Sequence, residues 1–567
     1  MEGVDLPERP SDLRRDSLLI FFLGIGIFTI ALDGEFISSQ ARFALFAQEM
    51  LRNGPSFFPT TYDTPYPDYT ATSTFLICLV SLPFGKVTPF TAVLPTAVVS
   101  ALILVITYRI GATISRQWGW TAVLLTLFTH LFLTESRSIS LDQYNALATT
   151  LCFYLIYSAD IYGKRRRLWF IPLVLMVSFS FRGPIGMVIP ASVVYGYYLC
   201  RGEFKKFLLM GVLALCLLSM CSAAMLAAAY YDGGEAFAGR VVSAQVSGRM
   251  LNSKAGYFFY WYRCFSSLAL AYPLAGLVVI ARLRRILRQK SGNYKFMSYL
   301  VVWGLIVLVG MSIPGDKKMR YVLPIVPAVS LIASYLVINP SLEGLLLKAR
   351  NAFGGFCSLL PLLGSIAAIG VLWFGRYFGF TANVHFAVAA AILGGLSVTA
   401  GPAKRRLTND LSRDMATVAI AVAAFITIYV GIAQPINLAL ETTQPFVARV
   451  KLLQKERPGD IAFYRIGPDG EDIKFMVNYD KPIKPAFLMS PEELLNSRQC
   501  SYFIAEQRDF ASLPESVKNC TRVQFTGKIG HRACTVFTIE NTGTEPLHGE
   551  LFSVDGNSGT GCGGDTQ

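Results

Sequence analysis

The sequence predicts a mainly α-helical, polytopic membrane protein of about thirteen spans, with a small α/β domain near its C-terminal end. Three observations carry this prediction. Of 567 residues, 53% are hydrophobic and only 16% charged, whereas a soluble domain is roughly a quarter charged. Apolar runs, most of them long enough for a hydrocarbon core of about 30 Å, recur up to residue 435. From residue 436 the composition becomes that of a soluble domain.

The expected spans are 17–33, 88–111, 118–134, 142–161, 167–181, 186–200, 206–229, 260–282, 295–313, 320–338, 353–375, 384–401 and 415–435. Residues 1–16 lack a small-residue cleavage site followed by soluble sequence, so the first run reads as an uncleaved helix. Basic residues gather in alternate loops: Lys164 to Arg167, Lys205-Lys206, Arg282 to Lys290, and Lys404 to Arg406. That is the positive-inside pattern, and it puts the N-terminus in the cytoplasm and the C-terminal domain outside. It also accounts for the net charge of +14 without nucleic acid, as topology and contact with membrane lipids.

The first outside loop, 34–87, is no bare linker. Ile37 to Arg52 has amphipathic spacing, which fits a helix along the membrane surface. Gly54-Pro55 ends it, and Tyr62, Pro65, Tyr66, Pro67 and Tyr69 follow as a rigid aromatic stretch. Thr72 to Phe84 reads as a second interfacial helix. A further outside loop, 230–259, holds Tyr230, Tyr231, Arg240 and Arg249.

In the expected extracytoplasmic α/β domain, 436–545, Asp460 to Ile466, Ser501 to Ala505, Arg522 to Phe525 and Ala533 to Ile539 read as strands. Ser490-Pro491-Glu492-Glu493 is a capping-box helix start. The glycine-rich segment 546–567 reads as disordered. Cys78, Cys152, Cys200, Cys216, Cys221, Cys264 and Cys357 lie in apolar runs as small hydrophobes. Cys500, Cys520 and Cys534 could form one disulfide in an oxidising space. No cysteine or histidine spacing indicates a metal or cofactor, although the carboxylates could hold a divalent cation.

The chemistry gathers in outside-facing clusters. Asp33-Gly34-Glu35 sits where the first span leaves the membrane, and carboxylates are costly to desolvate there. Arg137 and Asp142 flank the mouth of spans three and four. Arg182-Gly183-Pro184 looks like a helix broken around something. Asp316-Lys317-Lys318-Met319-Arg320-Tyr321 violates the positive-inside rule, for which a phosphate ligand is a reason. Singly, each has a plainer reading: helix capping for Asp33 and Asp142, snorkelling for Arg182, head-group contact for the lysines. Their co-occurrence is the signal.

These residues resemble a known pattern. Asp33-Gly34-Glu35, Ala41-Arg42 and Gln48-Glu49-Met50-Leu51 are similar to the first-loop motifs of the GT-C superfamily of membrane glycosyltransferases, in the branch of the lipid A aminoarabinose transferase and the protein O-mannosyltransferases. Arg137 through Asp142 resembles that branch's second acidic motif, and Arg182-Gly183-Pro184 its Lys-Gly-Pro. Lys317 through Pro327 is similar to its Lys-x-x-x-Tyr-x-Leu-Pro-x-x-Pro signature. Where the branch has Glu-Lys-Pro-Pro, this chain has Pro67-Asp68-Tyr69-Thr70, without the lysine.

The resemblance implies a GT-C fold, a sugar donor linked to a polyprenyl phosphate, and a lipid (lipid A or lipopolysaccharide), glycan or protein acceptor at the periplasmic face of a bacterial inner membrane. Direct displacement would invert the anomeric centre. Asp33, with Glu35, would serve as base. Arg182, Lys317, Lys318 and Arg320 would hold the leaving phosphate. Arg42, Tyr66, Asp68, Tyr69, Arg137, Asp142, Arg249 and Tyr321 would support them, with Asp142 pairing to Arg137 or another loop cation. A transporter or flippase of an anionic lipid or glycan is the reading of another class. It should carry charges at mid-membrane and on both faces, whereas here they gather on one.

Overall fold

The computed structural model describes residues 10–32, 34–247, 256–288, 291–375, 384–407, 409–479, 482–497 and 500–539. The chain divides into two compact units. The larger comprises 1–447, 469–484 and 529–531; the smaller comprises 448–468, 485–528 and 532–567.

The larger unit is helical. Its first helices are α1 (Pro10–Thr29), α2 (Gln40–Asn53), α3 (Thr72–Ser81), α4 (Pro89–Gly111), α5 (Arg116–Leu127), α6 (His130–Ser136), α7 (Leu141–Ile161), α8 (Phe170–Arg182), α9 (Pro184–Cys200) and α10 (Phe204–Val242). Each expected apolar segment falls on a helix or a pair of helices. Seven of the described helices are long and apolar enough to cross a membrane unaided. The count becomes eight if Phe259–Ser267 and Ala271–Arg288, bent by 117°, form one span. The others fail that test for visible reasons: α8 has 13 residues, α5 and α6 are separated at Phe128-Thr129, and α7 carries Asp142, Gln143, Asn145 and Asp160.

Burial separates core from periphery. Of the most apolar stretch in Met319–Ile338, 94% is buried inside the protein, against 6% in the helix beginning at Phe204. Leu208, Leu209 and Leu215 on that outer helix are each about two-thirds exposed. An apolar surface that size needs lipid or a partner, as expected of a multi-pass membrane protein. The interior is aromatic: Phe153 meets Trp303 at 4.7 Å between ring centroids, and Tyr197 meets Tyr299 at 4.6 Å.

α1 starts seven residues before the expected span because Asp16 is buried rather than solvated. Its carboxylate accepts from Arg116 Nε at 2.6 Å, Tyr108 Oη at 2.6 Å and Trp120 Nε1 at 3.0 Å. One acid thereby ties α1 to α4 and α5. α10 also outruns expectation, continuing through Tyr230 and Tyr231 with a kink at Gly233-Gly234. Asp232 on this extension accepts the Phe58 backbone N–H at 3.2 Å.

The smaller unit is built on a five-stranded sheet. β3 (Asp460–Tyr464), β4 (Ala486–Leu488), β5 (Cys500–Glu506), β6 (Thr521–Ile529) and β7 (Arg532–Ile539) lie in the order β4-β3-β5-β7-β6. β4, β3 and β5 are parallel, and β7 runs antiparallel to β5. The expected capping box forms: Ser490 Oγ accepts the Glu493 N–H and Glu493 reaches back to Ser490. Tyr464, Phe503 and Phe537 pack with Leu494 as the core.

Candidate functional site

The site starts from a broken helix. α8 ends at Arg182, and Gly183 takes φ 63° and ψ −149°, a conformation that suits glycine. Pro184 then opens α9 at a helix's first turn, where its missing N–H costs nothing. The corner is tight. A Cβ on Gly183 would lie 3.0 Å from Gln245 Oε1, and one on Gly186 only 2.3 Å from the Ser178 carbonyl oxygen.

At this corner Arg182 meets Asp142, which lies in the first turn of α7. Arg182 Nε donates to Asp142 Oδ1 at 3.0 Å, with both side chains about 5% exposed or less. Arg320 Nε approaches the other carboxylate oxygen at 3.2 Å. The Arg182 guanidinium also lies over two rings, 5.1 Å from Tyr321 and 5.8 Å from Tyr69. Tyr321 Oη donates to Asp316 at 2.9 Å, and Lys318 pairs with Asp316 at 3.4 Å. One carboxylate thus faces two guanidiniums, and Glu135 lies near enough to interact with all three charges.

A cleft of about 600 Å³ opens beside this cluster. Arg42, Lys318, Arg320 and Lys474 line it, against Glu135, Asp469 and Glu471. Tyr69, Phe43 and Met319 give it an apolar side. Such a mixture suits a ligand with an anionic group on a less polar body.

The first loop is held by its own polar contacts. Thr60–Thr61 (β1) and Thr64–Pro65 (β2) pair across Tyr62 and Asp63, both with positive φ, as a two-residue hairpin turn requires. Glu49 stabilises this turn from α2, accepting the N–H groups of Tyr62 at 2.7 Å and Asp63 at 3.3 Å and the Thr60 hydroxyl at 2.6 Å. Arg42, also on α2, donates to Tyr66 Oη at 2.6 Å and to the Asp469 carbonyl at 2.9 Å. Tyr66 stacks on Tyr69, 6.0 Å between centroids, and the Asp68 carbonyl accepts from Gln245 Nε2 at 2.7 Å. Tyr62 Oη donates to Asp472 at 2.6 Å. Burial pushes the Asp472 carboxyl up to about 6 in spite of that bond.

Of the expected site residues, Arg42, Tyr69, Lys318 and Arg320 line the cleft, and Asp142, Arg182 and Tyr321 are joined to them by the contacts above. Others lie elsewhere. Arg137 does not pair with Asp142. It donates to the Ile27 and Ile30 carbonyls and to Gln434 Oε1, capping the C-terminus of α1. Glu35 accepts the backbone N–H groups of Thr443 and Gln444 at 2.7 and 3.0 Å, and it lines a different cleft. Lys317 donates to the Gly256 carbonyl and is not on the cleft wall. Asp33 and Arg249 lie outside the described residues.

Sequence reasoning overlooked three contributors. Glu135 lies two residues before Arg137, but only the fold brings it to the cleft. Glu49 read as one polar position of an amphipathic helix. The helix Glu471–Val477 was assigned to the C-terminal domain, yet it belongs to the larger unit and packs on α2. Among the described residues, no group of three or more His, Cys, Asp or Glu is arranged to hold a metal ion.

No protein-family model matches the chain, and no curated protein sequence matches it. Solved structures do. The fold is the one shared by the GT-C membrane glycosyltransferases. At 12% identity or less, the likeness is one of fold. ArnT from Cupriavidus metallidurans bound to undecaprenyl phosphate superposes with a TM-score of 0.67, covering 94% of this chain and 98% of that one at 11% identity. Its apo form gives 0.67 at 12% identity, covering 93% and 98%. The apo oligosaccharyltransferase of Archaeoglobus fulgidus follows at 0.49 and 10% identity, over 86% of this chain and 69% of that one.

Proposed function

We propose that this protein is an inverting glycosyltransferase of a bacterial inner membrane. It moves a sugar from a polyprenyl-phosphate donor to a lipid A, lipopolysaccharide or other glycan acceptor at the periplasmic face. The observation that carries this reading is the cleft lined by Arg42, Lys318 and Arg320, with the Arg182–Asp142 pair bonded behind it. It gains support from the fold shared with ArnT, a protein crystallised with undecaprenyl phosphate.

Breaking the anomeric C–O bond leaves charge on a phosphate. Fixed cations that meet that charge lower the barrier more than they tighten ground-state binding. Lys318 and Arg320 do this from the cleft wall. Arg182 acts from behind, holding Asp142 and so the Arg320 guanidinium in place. Tyr69 and Tyr321, stacked about Arg182, keep that guanidinium from rotating away.

The test is transfer by purified protein in lipid, followed by the release of polyprenyl phosphate from a lipid-phosphate-linked sugar. The double variant Lys318→Gln/Arg320→Gln should lose at least about 100-fold in kcat/KM. Comparing envelope lipids, glycans and proteins by mass spectrometry with and without the gene would identify the acceptor. Wild-type protein that binds polyprenyl phosphate no better than the double variant would overturn the proposal.

A further inference from the structure

We infer that Gln245 is a positioning residue for the transfer, an inference that rests on the function proposed above. Gln245 lies just beyond the end of α10, in one turn of π-helix, Ser243–Ser247. Such turns are rare and are frequent at functional sites. The residue is 9% exposed, and its carboxamide donates from Nε2 to the Asp68 carbonyl at 2.7 Å. A carbonyl oxygen can only accept, so this contact fixes which end of the amide is nitrogen and turns Oε1 toward Gly183. Oε1 is buried there, with no hydrogen-bond partner among the described residues.

The two ends of the amide meet the two halves of the cation cluster. The Asp68 carbonyl belongs to the planar peptide unit that leads into Tyr69, so the hydrogen bond fixes the plane from which that ring departs. At the other end the carboxamide fills the space that a side chain on Gly183 would take. A Cβ there would lie 3.0 Å from Oε1 and 3.5 Å from Cδ. Gln245 therefore spans from the backbone of Tyr69 to the backbone beside Arg182, whose ring and guanidinium lie 5.8 Å apart. The Thr70 hydroxyl also donates to the Ser180 carbonyl on α8, so Tyr69 is pinned on both sides.

Tyr69 is part of the cleft wall and one of the two rings about Arg182. Without Gln245 the loop keeps its Thr70 tie, but the peptide before Tyr69 is free to turn and the guanidinium loses one face. Arg182 then holds Asp142, and through it Arg320, less firmly where the departing phosphate needs them. Charges that must stand in place before a bond breaks tolerate little displacement, and an error of about 1 Å costs roughly 100-fold in rate. Gln245 itself touches no reacting atom, so its loss slows the step and leaves the donor bound.

Purified wild type, Q245M, Q245E and Q245N are compared with a polyprenyl-phosphate-linked sugar and a hydroxyl acceptor, at a temperature well below every unfolding midpoint. Q245M keeps the length of the side chain and loses the N–H donor. Its expected kcat is lower by at least about tenfold, with donor KM within about twofold of wild type. Hydrogen exchange across residues 66–70 should be faster. Q245E keeps the shape but sets a carboxylate against the Asp68 carbonyl, and should lose at least as much rate. A kcat in Q245M within about twofold of wild type, or a change confined to donor KM, would overturn the inference. Retained rate in Q245E would overturn it too, since Oε1 would then be the working atom, accepting from the ligand. If Q245M does not fold, Q245N decides. One methylene shorter, it cannot reach both Asp68 and Gly183: normal kcat overturns the inference, and a loss of about tenfold supports it. A wild type that releases no polyprenyl phosphate overturns the proposed function, and this inference with it.

Discussion

Asp142 holds two arginines, and that single residue shows how much of the site is a charge problem. Removing its charge leaves Arg182 buried opposite Arg320 with no anion between them. Asp142→Asn should therefore lower stability by about 3–5 kcal/mol, read as a drop in the unfolding midpoint of the detergent-solubilised protein. Asp472 makes a second residue-scale prediction. Its folded carboxyl titrates near 6, above the ordinary aspartate value of 3.8, so the folded state holds its proton more tightly than the unfolded one. The stabilisation is complete below pH 3.8 and declines as pH rises to about 6. Asp472→Asn should remove that decline, and unfolding midpoints measured between pH 4 and 7 would reveal it.

At the scale of elements, apolar runs and breaks were legible. Gly54-Pro55 does end α2, and Arg182-Gly183-Pro184 does separate two helices. Gly183→Ala should cost about 1–3 kcal/mol, since the new Cβ meets both a left-handed φ and Gln245 at 3.0 Å. Equal unfolding midpoints for the variant and wild type would refute this. The hairpin at Thr60 to Pro65 was not legible, because Tyr62-Asp63 lacks the asparagine or glycine that such turns usually carry. Glu49 compensates by accepting both turn N–H groups. Glu49→Leu should leave them unpaired and speed hydrogen exchange at Tyr62 and Asp63 by at least about tenfold. Unchanged exchange would mean that the turn stands without Glu49.

For the whole molecule, sequence alone determined the helical class, the apolar segments, the basic loops and four of the five strands of the smaller unit, β4 being missed. These depend on composition and periodicity, which are local properties of a chain. It also picked out Lys318, Arg320, Arg182 and Asp142 as belonging together. Tertiary structure decided who meets whom. Arg137, five residues from Asp142, turns away to the end of α1, while Arg182, 40 residues off, becomes its partner. Glu35 goes to the backbone of Thr443 and Gln444, Glu135 comes to the cleft, and a helix beginning at Glu471 joins the larger unit. Coulomb energy falls with distance through space and is indifferent to separation along the chain. Only the packing of helices sets those distances, so only the fold could assign each charge its partner.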